Sequence, residues 1–405
     1  MPKSFGLPGH LTVSLLLSIL GTSACVASIA PTPTMAAATA AAVPLRITPT
    51  PAPSPTLTIA PTALPAEEIS ELSSPGMRSE IDRLATAFLD QGKSSALSIG
   101  IVIGGPGDEG VQVMLLDYGS TSKNHGRSVT SDTVYEIGSI TKLFTGTLLA
   151  QAVMSGQVGL NDPIQPYLPP GIQAPNYRGQ QITLKELATH RSSLPRDPGT
   201  DSPASLYAWL NDYQLPRAPG SQYAYSNLGY ALLGDILARL SGTDFSGLES
   251  QAISRPLGLQ DTVEALSPAQ KDRLAQGYTY DGSPTQYFPE TGVMSGAGYL
   301  RSTLQDMTRF LIANVHPQSS ALGAAIALAQ REEAEGPDPG THIGLGWNIE
   351  QPGTPGERLW KAGATSGFTS YITFMADGSY GFVILNNGRY AETLVPGILG
   401  VLSGR

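Results

Sequence analysis

Strand-like sequence occurs only near the two ends of the region able to fold, and this restricts the architecture more than any other feature. Near the start lie Leu97–Ile103 and Val111–Leu116, apolar runs split by a Gly-Pro-Gly turn, which read as a hairpin. Near the end lie Arg358–Lys361, Thr369–Met375 and Tyr380–Leu385, the last two joined at Asp377-Gly378, a hairpin-turn signal. Helix-and-loop sequence fills the interval, with clear helices at Leu228–Leu240 and Thr303–Ala313. Two further helices flank the strands. Met77–Gln91 carries Met77, Ile81, Leu84, Ala85 and Phe88 on one stripe, and Ala391–Leu402 is placed to cover the sheet. The expectation is an α/β protein of the α+β type. Its central antiparallel sheet is closed by the N- and C-terminal segments, flanked by helices and interrupted by a helical subdomain.

The first part of the 405-residue chain has a different character. Residues 1–30 read as an export signal: Lys3 is basic, Leu11–Leu20 is apolar, and small residues lead to Cys25. The apolar run is too short for a permanent bilayer span. Small residues before a lone cysteine resemble a lipoprotein cleavage site, which makes Cys25 a lipidation candidate and the chain a membrane-anchored one. Thr22 departs from that pattern, and simple secretion remains open. Either route exports the protein to the periplasm or the exterior. Residues 31–66 are Pro, Thr, Ala and Ser, a composition that cannot bury enough apolar surface to order itself, and they read as a tether. The folded region is then 67–405, expected as a monomer. The formal charge of −9 and the lack of a basic cluster argue against nucleic acid as a partner. With Cys25 the only cysteine and the five histidines scattered, neither a disulfide nor a metal site is indicated, and no cofactor is expected.

Three short motifs carry chemistry. In Y-E-I-G-S-I-T-K-L-F-T-G (Tyr135–Gly146), Ser139 and Lys142 share one face if the segment is helical. Ser139 would lie in the first turn, where free N–H groups favour developing negative charge, and a lysine can activate a serine that is inert alone. Tyr225-Ser226-Asn227 precedes a helix. A tyrosine beside a lysine can move a proton, and the Asn227 amide can orient that lysine or hold a substrate carbonyl. An ordinary helix cap at Ser226 or Asn227 explains the same residues. In W-K-A-G-A-T-S-G-F, Lys361 ends a strand as a potential carboxylate anchor. Gly363 allows close approach of a ligand, and the Ala364 N–H is a potential oxyanion donor.

In this order, S-x-x-K, Y-x-N and K-x-G resemble the serine β-lactamase and penicillin-binding protein clan, most of all the class C β-lactamases with their carboxypeptidase and esterase relatives. The resemblance runs from the hairpin at Leu97 to the end. It includes Ile182–Pro195, Arg255–Thr262 and Gly344–Trp347. It implies a β-lactamase/transpeptidase-like fold and a serine acyl-hydrolase acting on a small molecule or cell-wall peptide. Ser139 would be the nucleophile, with Lys142 and Tyr225 managing its proton. Asn227 and Lys361 would bind substrate, and the Ser139 and Ala364 N–H groups would form the oxyanion hole.

Two residues depart from the pattern. Ala362 stands where these enzymes usually carry a hydroxyl, and Asp197 lies about where class C enzymes often have glutamine, with a charge able to repel an acidic substrate. No G-x-S-x-G supports a nucleophile-elbow hydrolase, and no E-x-x-L-N resembles the class A deacylating glutamate. His190 is expected to pack or hydrogen-bond near the site. The choice among β-lactam, D-Ala-D-Ala peptide and ester stays open. So do a penicillin-binding sensor that acylates without turning over and a silent tethered scaffold.

Overall fold

The computed structural model describes residues 69–71, 74–104, 110–197, 199 and 202–404. The export signal with Cys25, the Pro-rich tether and the Gly-Pro-Gly part of the first hairpin lie outside the described residues.

The two ends of the folded region pair with each other. Tyr380–Asn386 runs antiparallel to Ala96–Ile103, with Val383 opposite Gly100. Across the nine-stranded sheet the order is Ile69–Glu71, Val111–Gly119, Ala96–Ile103, Tyr380–Asn386, Thr369–Met375, Arg358–Ala364, Asn348–Glu350, Thr341–Ile343 and Ala334–Glu335. The five expected strands form its centre. The four additional strands are two or three residues long, too brief for an alternating pattern to show in sequence. One of them, Ile69–Glu71, pairs parallel with Val111–Val113, so the sheet is antiparallel except at that edge.

Each face of the sheet carries its own core. Leu97, Ile99 and Ile101 point toward helix Pro75–Leu89 and the C-terminal helix Val395–Ser403, where Ile81, Ala85, Phe88, Ile398 and Leu402 are buried. On the opposite face, Val102, Ile372, Val383 and Leu385 join the larger core built by helices Thr141–Met154, Asn227–Ser241 and Leu304–Val315. Gly100 makes the second contact possible: a side chain there would collide with the Thr308 hydroxyl of the overlying helix.

Helix Thr141–Met154 is the middle of this core rather than a surface element. Every residue from Thr141 to Ala150 is buried, which explains why its sequence lacks a clean polar stripe. Its polar groups bond internally: Thr145 donates to the Gly296 carbonyl at 2.6 Å and Thr147 to the Leu143 carbonyl at 2.9 Å. Phe144 stacks on Phe310 of the neighbouring helix at 4.3 Å. Gly344–Trp347 packs on its back, with the Leu345 carbonyl filling the place of a side chain at Gly146. One expectation is corrected here. Ser139 lies in a 3-10 turn, Gly138–Ile140, that precedes the α-helix, rather than in the helix's own first turn.

Candidate active site

The serine turn is fixed from both sides. Before it, Val134–Glu136 pairs with Arg301–Thr303, and buried Glu136 meets buried Arg301 at 3.4 Å. At the turn, Gly138 has φ +49°, and a side chain there would sit 2.7 Å from the Ala364 nitrogen. Only glycine adopts that backbone cheaply while letting the turn press on the end of the Lys361 strand. Gly363 does the same from the strand's side. The place of its missing side chain is taken by the Ile137 carbonyl and the Ser370 hydroxyl. The expected ligand approach at Gly363 is thus joined by a structural reason: two backbone segments meet there.

Three segments converge on Ser139. Lys142 Nζ donates to Ser139 Oγ at 3.1 Å, to Asn227 Oδ1 at 2.8 Å and to the Ala297 carbonyl at 2.6 Å. The Tyr225 hydroxyl donates to Ser139 Oγ at 2.7 Å. Burial, with a smaller contribution from the Arg196 charge, lowers the Lys142 ammonium to about 7. The neutral amine is then readily accessible near neutrality. Such an amine has two N–H groups for Asn227 and Ala297 and a lone pair left for the serine proton. Ser226, between the motif residues, caps the helix that follows, accepting from the Gly229 N–H at 2.9 Å. Cap and site occupy the same tripeptide without conflict.

Lys361 approaches from the sheet. It is buried, its Nζ lies 5.6 Å from the Tyr225 ring centroid, and burial, the largest effect, lowers it to about 8. Beyond it, the Thr365 N–H donates to the Phe368 carbonyl at 3.0 Å, which sets the phase of the antiparallel ladder. Ala364, opposite Thr369, therefore turns its N–H away from the neighbouring strand, on the side of the serine turn. Ala362 is exposed and faces Tyr371 across the strand pair, leaving the hydroxyl position empty. Asp197 has a use of its own: its Oδ1 accepts from the Asn227 amide at 2.8 Å, and Arg196 lies 3.8 Å away. The carboxylate is more than half exposed, so these contacts leave its effect on an acidic substrate to experiment.

Ser139, Tyr225, Asn227, Lys361, Gly363 and Ala364 line one cleft of about 730 Å³. Lys142 sits buried beneath it. Two participants were absent from the motif reading. The Ala297 carbonyl is a backbone group with no side-chain signature. It comes within reach because Gly296 crosses Gly234 so closely that a side chain on Gly234 would lie 2.8 Å from the Gly296 Cα. Arg196, at the cleft wall, places its guanidinium 5.0 Å from the Tyr225 ring. Its position follows from its neighbours' hydrogen bonds: Asn227 and Leu228 N–H groups donate to the Arg196 carbonyl and the Ser226 hydroxyl to that of Pro195.

A serine hydroxyl met by a buried amine and a phenol, with a second buried lysine close by, is an arrangement suited to acyl transfer. The family description Beta-lactamase matches residues 81–398, and the chain belongs to that family. Among similar proteins, the D-alanyl-D-alanine-carboxypeptidase/endopeptidase AmpH of Escherichia coli (strain K12) is 36% identical over 301 residues, covering 68% of this chain and 77% of that protein. A Beta-lactamase of Yersinia enterocolitica is 30% identical over 318 residues, covering 68% and 79%, and one of Pseudomonas fluorescens is 26% identical over 348 residues, covering 78% and 94%.

Proposed function

We propose that this protein is a serine acyl-hydrolase of class C type that forms an acyl-enzyme on Ser139 with a β-lactam or D-Ala-D-Ala-type amide bearing a carboxylate. The observation that carries this reading is the shared approach of Lys142 and Tyr225 to Ser139 Oγ, at 3.1 and 2.7 Å. Neutral Lys142 takes the serine proton as Oγ attacks the carbonyl, and Tyr225 passes a proton to the departing nitrogen. The Ser139 and Ala364 N–H groups receive the oxyanion, worth about 3–4 kcal/mol per donor in comparable sites. Water then attacks the ester, with the proton path reversed. Lys361 holds the substrate carboxylate, and Asn227, steadied by Asp197, keeps Lys142 in place.

A carboxylesterase reading has one observation in its favour, the methyl of Ala362 where a carboxylate-binding hydroxyl would stand. A panel of chromogenic cephalosporin, D-Ala-D-Ala peptide and nitrophenyl ester separates the readings. The expected result is turnover of a carboxylate-bearing substrate with the higher kcat/KM. Turnover of the ester alone would establish the esterase, acylation without release a sensor, and no acylation a scaffold.

Export rests on the sequence of residues 1–30, and anchoring on Cys25. Wild-type protein should partition with membranes and Cys25→Ser should become soluble. A soluble wild-type protein beginning beyond Cys25 would instead show simple secretion.

A further inference from the structure

His190 is a buried titratable side chain that the proposed chemistry leaves unused. It is 1% exposed and boxed by three tyrosines. Its ring stacks on Tyr225 with centroids 4.2 Å apart and planes at 29°, and lies 5.1 Å from Tyr230 and 5.7 Å from Tyr223. The Ser226 N–H donates to Nδ1 at 3.1 Å, so the ring proton resides on Nε2. That nitrogen is buried and has no hydrogen-bond partner among the described residues. The backbone at His190 has φ +58°, a left-handed conformation that costs energy for a ring-bearing residue. A buried, unsatisfied N–H and a strained backbone are both unfavourable. Both are tolerated where surrounding structure requires a particular side chain in a particular place.

The chain around the ring shows what is held. The Ala224 N–H donates to the His190 carbonyl at 2.8 Å, so contacts to His190 bracket Tyr225 on both sides, at Ala224 and at Ser226. Tyr225 itself has its hydroxyl on Ser139 and its ring stacked on this imidazole, with the cations of Lys142, Lys361 and Arg196 at 5.1, 5.6 and 5.0 Å from the ring centroid. Burial first, then the charges of Lys361 and Lys142, hold His190 well below its ordinary value, which keeps the stacked ring neutral among those cations.

Accepting Ser139 and Tyr225 in the roles given above, we infer that His190 is a positioning residue: its neutral ring, stacked on Tyr225, fixes the tyrosine hydroxyl on the nucleophile. It touches neither substrate nor the reacting atoms and acts through Tyr225. Its effect is therefore on the rate of acylation, while substrate affinity is set elsewhere.

Two variants and a double-mutant cycle test this on the full chain, using the rate of acylation by a fluorescent penicillin per mole of folded protein. His190→Asn keeps an acceptor for the Ser226 N–H, suits a left-handed backbone and removes the ring face. It should acylate about 10–100-fold more slowly, within the range for misaligned general acid–base catalysis, with half-saturating penicillin changed less than about twofold. His190→Phe keeps the ring face and gives up the acceptor. Folded His190→Phe should acylate within about threefold of the wild-type rate, and it carries the test alone if the Asn variant does not fold. In a Tyr225→Phe background, His190→Asn should cost no more than about twofold further, because the two act as one unit. Overturning results are an unchanged rate for His190→Asn, a folded His190→Phe slowed by about tenfold or more, or an equal loss with and without the Tyr225 hydroxyl. If Tyr225→Phe alone has no effect, the role given to Tyr225 fails, and the inference about His190 fails with it; Ser139 as nucleophile is judged separately by its own labelling.

Discussion

Lys142 and Lys361 enter the same cleft region from opposite sides, and both ammonium groups lie over the Tyr225 ring, 5.1 and 5.6 Å from its centroid. At the helix corner, Lys142 has three oxygen partners, each from a different segment. At the strand end, Lys361 is also buried, but among the described residues its Nζ makes no hydrogen bond. A buried cation without an acceptor is costly unless something arrives to pair with it. The difference fits the proposed division, in which Lys142 serves Ser139 and Lys361 pairs with a ligand anion.

The comparison can be broken at its shared neighbour, which should give the largest effect. Tyr225→Phe removes the hydroxyl on Ser139 and leaves a ring under both lysines. Turnover should fall by about 10²–10⁴, the usual contribution of one general acid–base group, with a smaller change in KM. An unchanged rate would assign proton transfer to Lys142 alone.

Next in size, Lys361→Ala should lower kcat/KM for a carboxylate substrate by about 10–150-fold, equivalent to roughly 1.5–3 kcal/mol for a charge-assisted hydrogen bond. A neutral nitrophenyl ester should lose far less. Equal losses would mean that Lys361 supports the site's structure or proton relay instead.

The pH dependence sharpens the same contrast. Lys142 must be neutral to take a proton, so acylation should rise with pH through about 7. Lys361 must be charged to hold a carboxylate, so kcat/KM for such substrates should fall above about 8, while the neutral ester stays level. Stability moves in its own direction. Both pKa values are lowered from the ordinary 10.5, so between about 7 and 10.5 the unfolded chain binds more protons than the folded one. The contribution of these two groups to stability therefore becomes more favourable as pH rises through that window. A chemical-denaturation series from pH 7 to 10 that showed the lysine double alanine variant losing this trend would agree. The same slope in both proteins would not.

The smallest effect is expected at Asp197. Asp197→Ala removes the acceptor of the Asn227 amide in a largely exposed contact, worth about 1 kcal/mol, or roughly fivefold in acylation rate. A gain in rate for acidic substrates would instead support the repulsive role expected for this charge.

How much of this was legible in sequence depends on which atoms do the work. Ser139, Lys142, Tyr225, Asn227 and Lys361 are side chains in short motifs of fixed spacing, and reading their order was enough to gather them around one cleft. The Ala297 carbonyl was not legible, and His190 was placed near the site without its partner Tyr225, because neither a backbone oxygen nor a ring contact between residues far apart in sequence leaves a pattern. The central strands were found for a related reason: each alternates or runs apolar over several residues. Ala334–Glu335 and Thr341–Ile343 acquire their strand character only by pairing along an edge already in place. Gly363 was read as room for a ligand, and the structure shows a second reason for it, contact with Ile137 and Ser370, which sequence spacing could not reveal.

The most direct measurement of the central claim is the site of covalent labelling. The purified protein is treated with a fluorescent penicillin, digested, and the modified residue located by mass spectrometry, beside a folded Ser139→Ala variant. The account predicts a single acyl adduct on Ser139 and no labelling of the variant. An adduct on another residue, or undiminished labelling of folded Ser139→Ala, would contradict it.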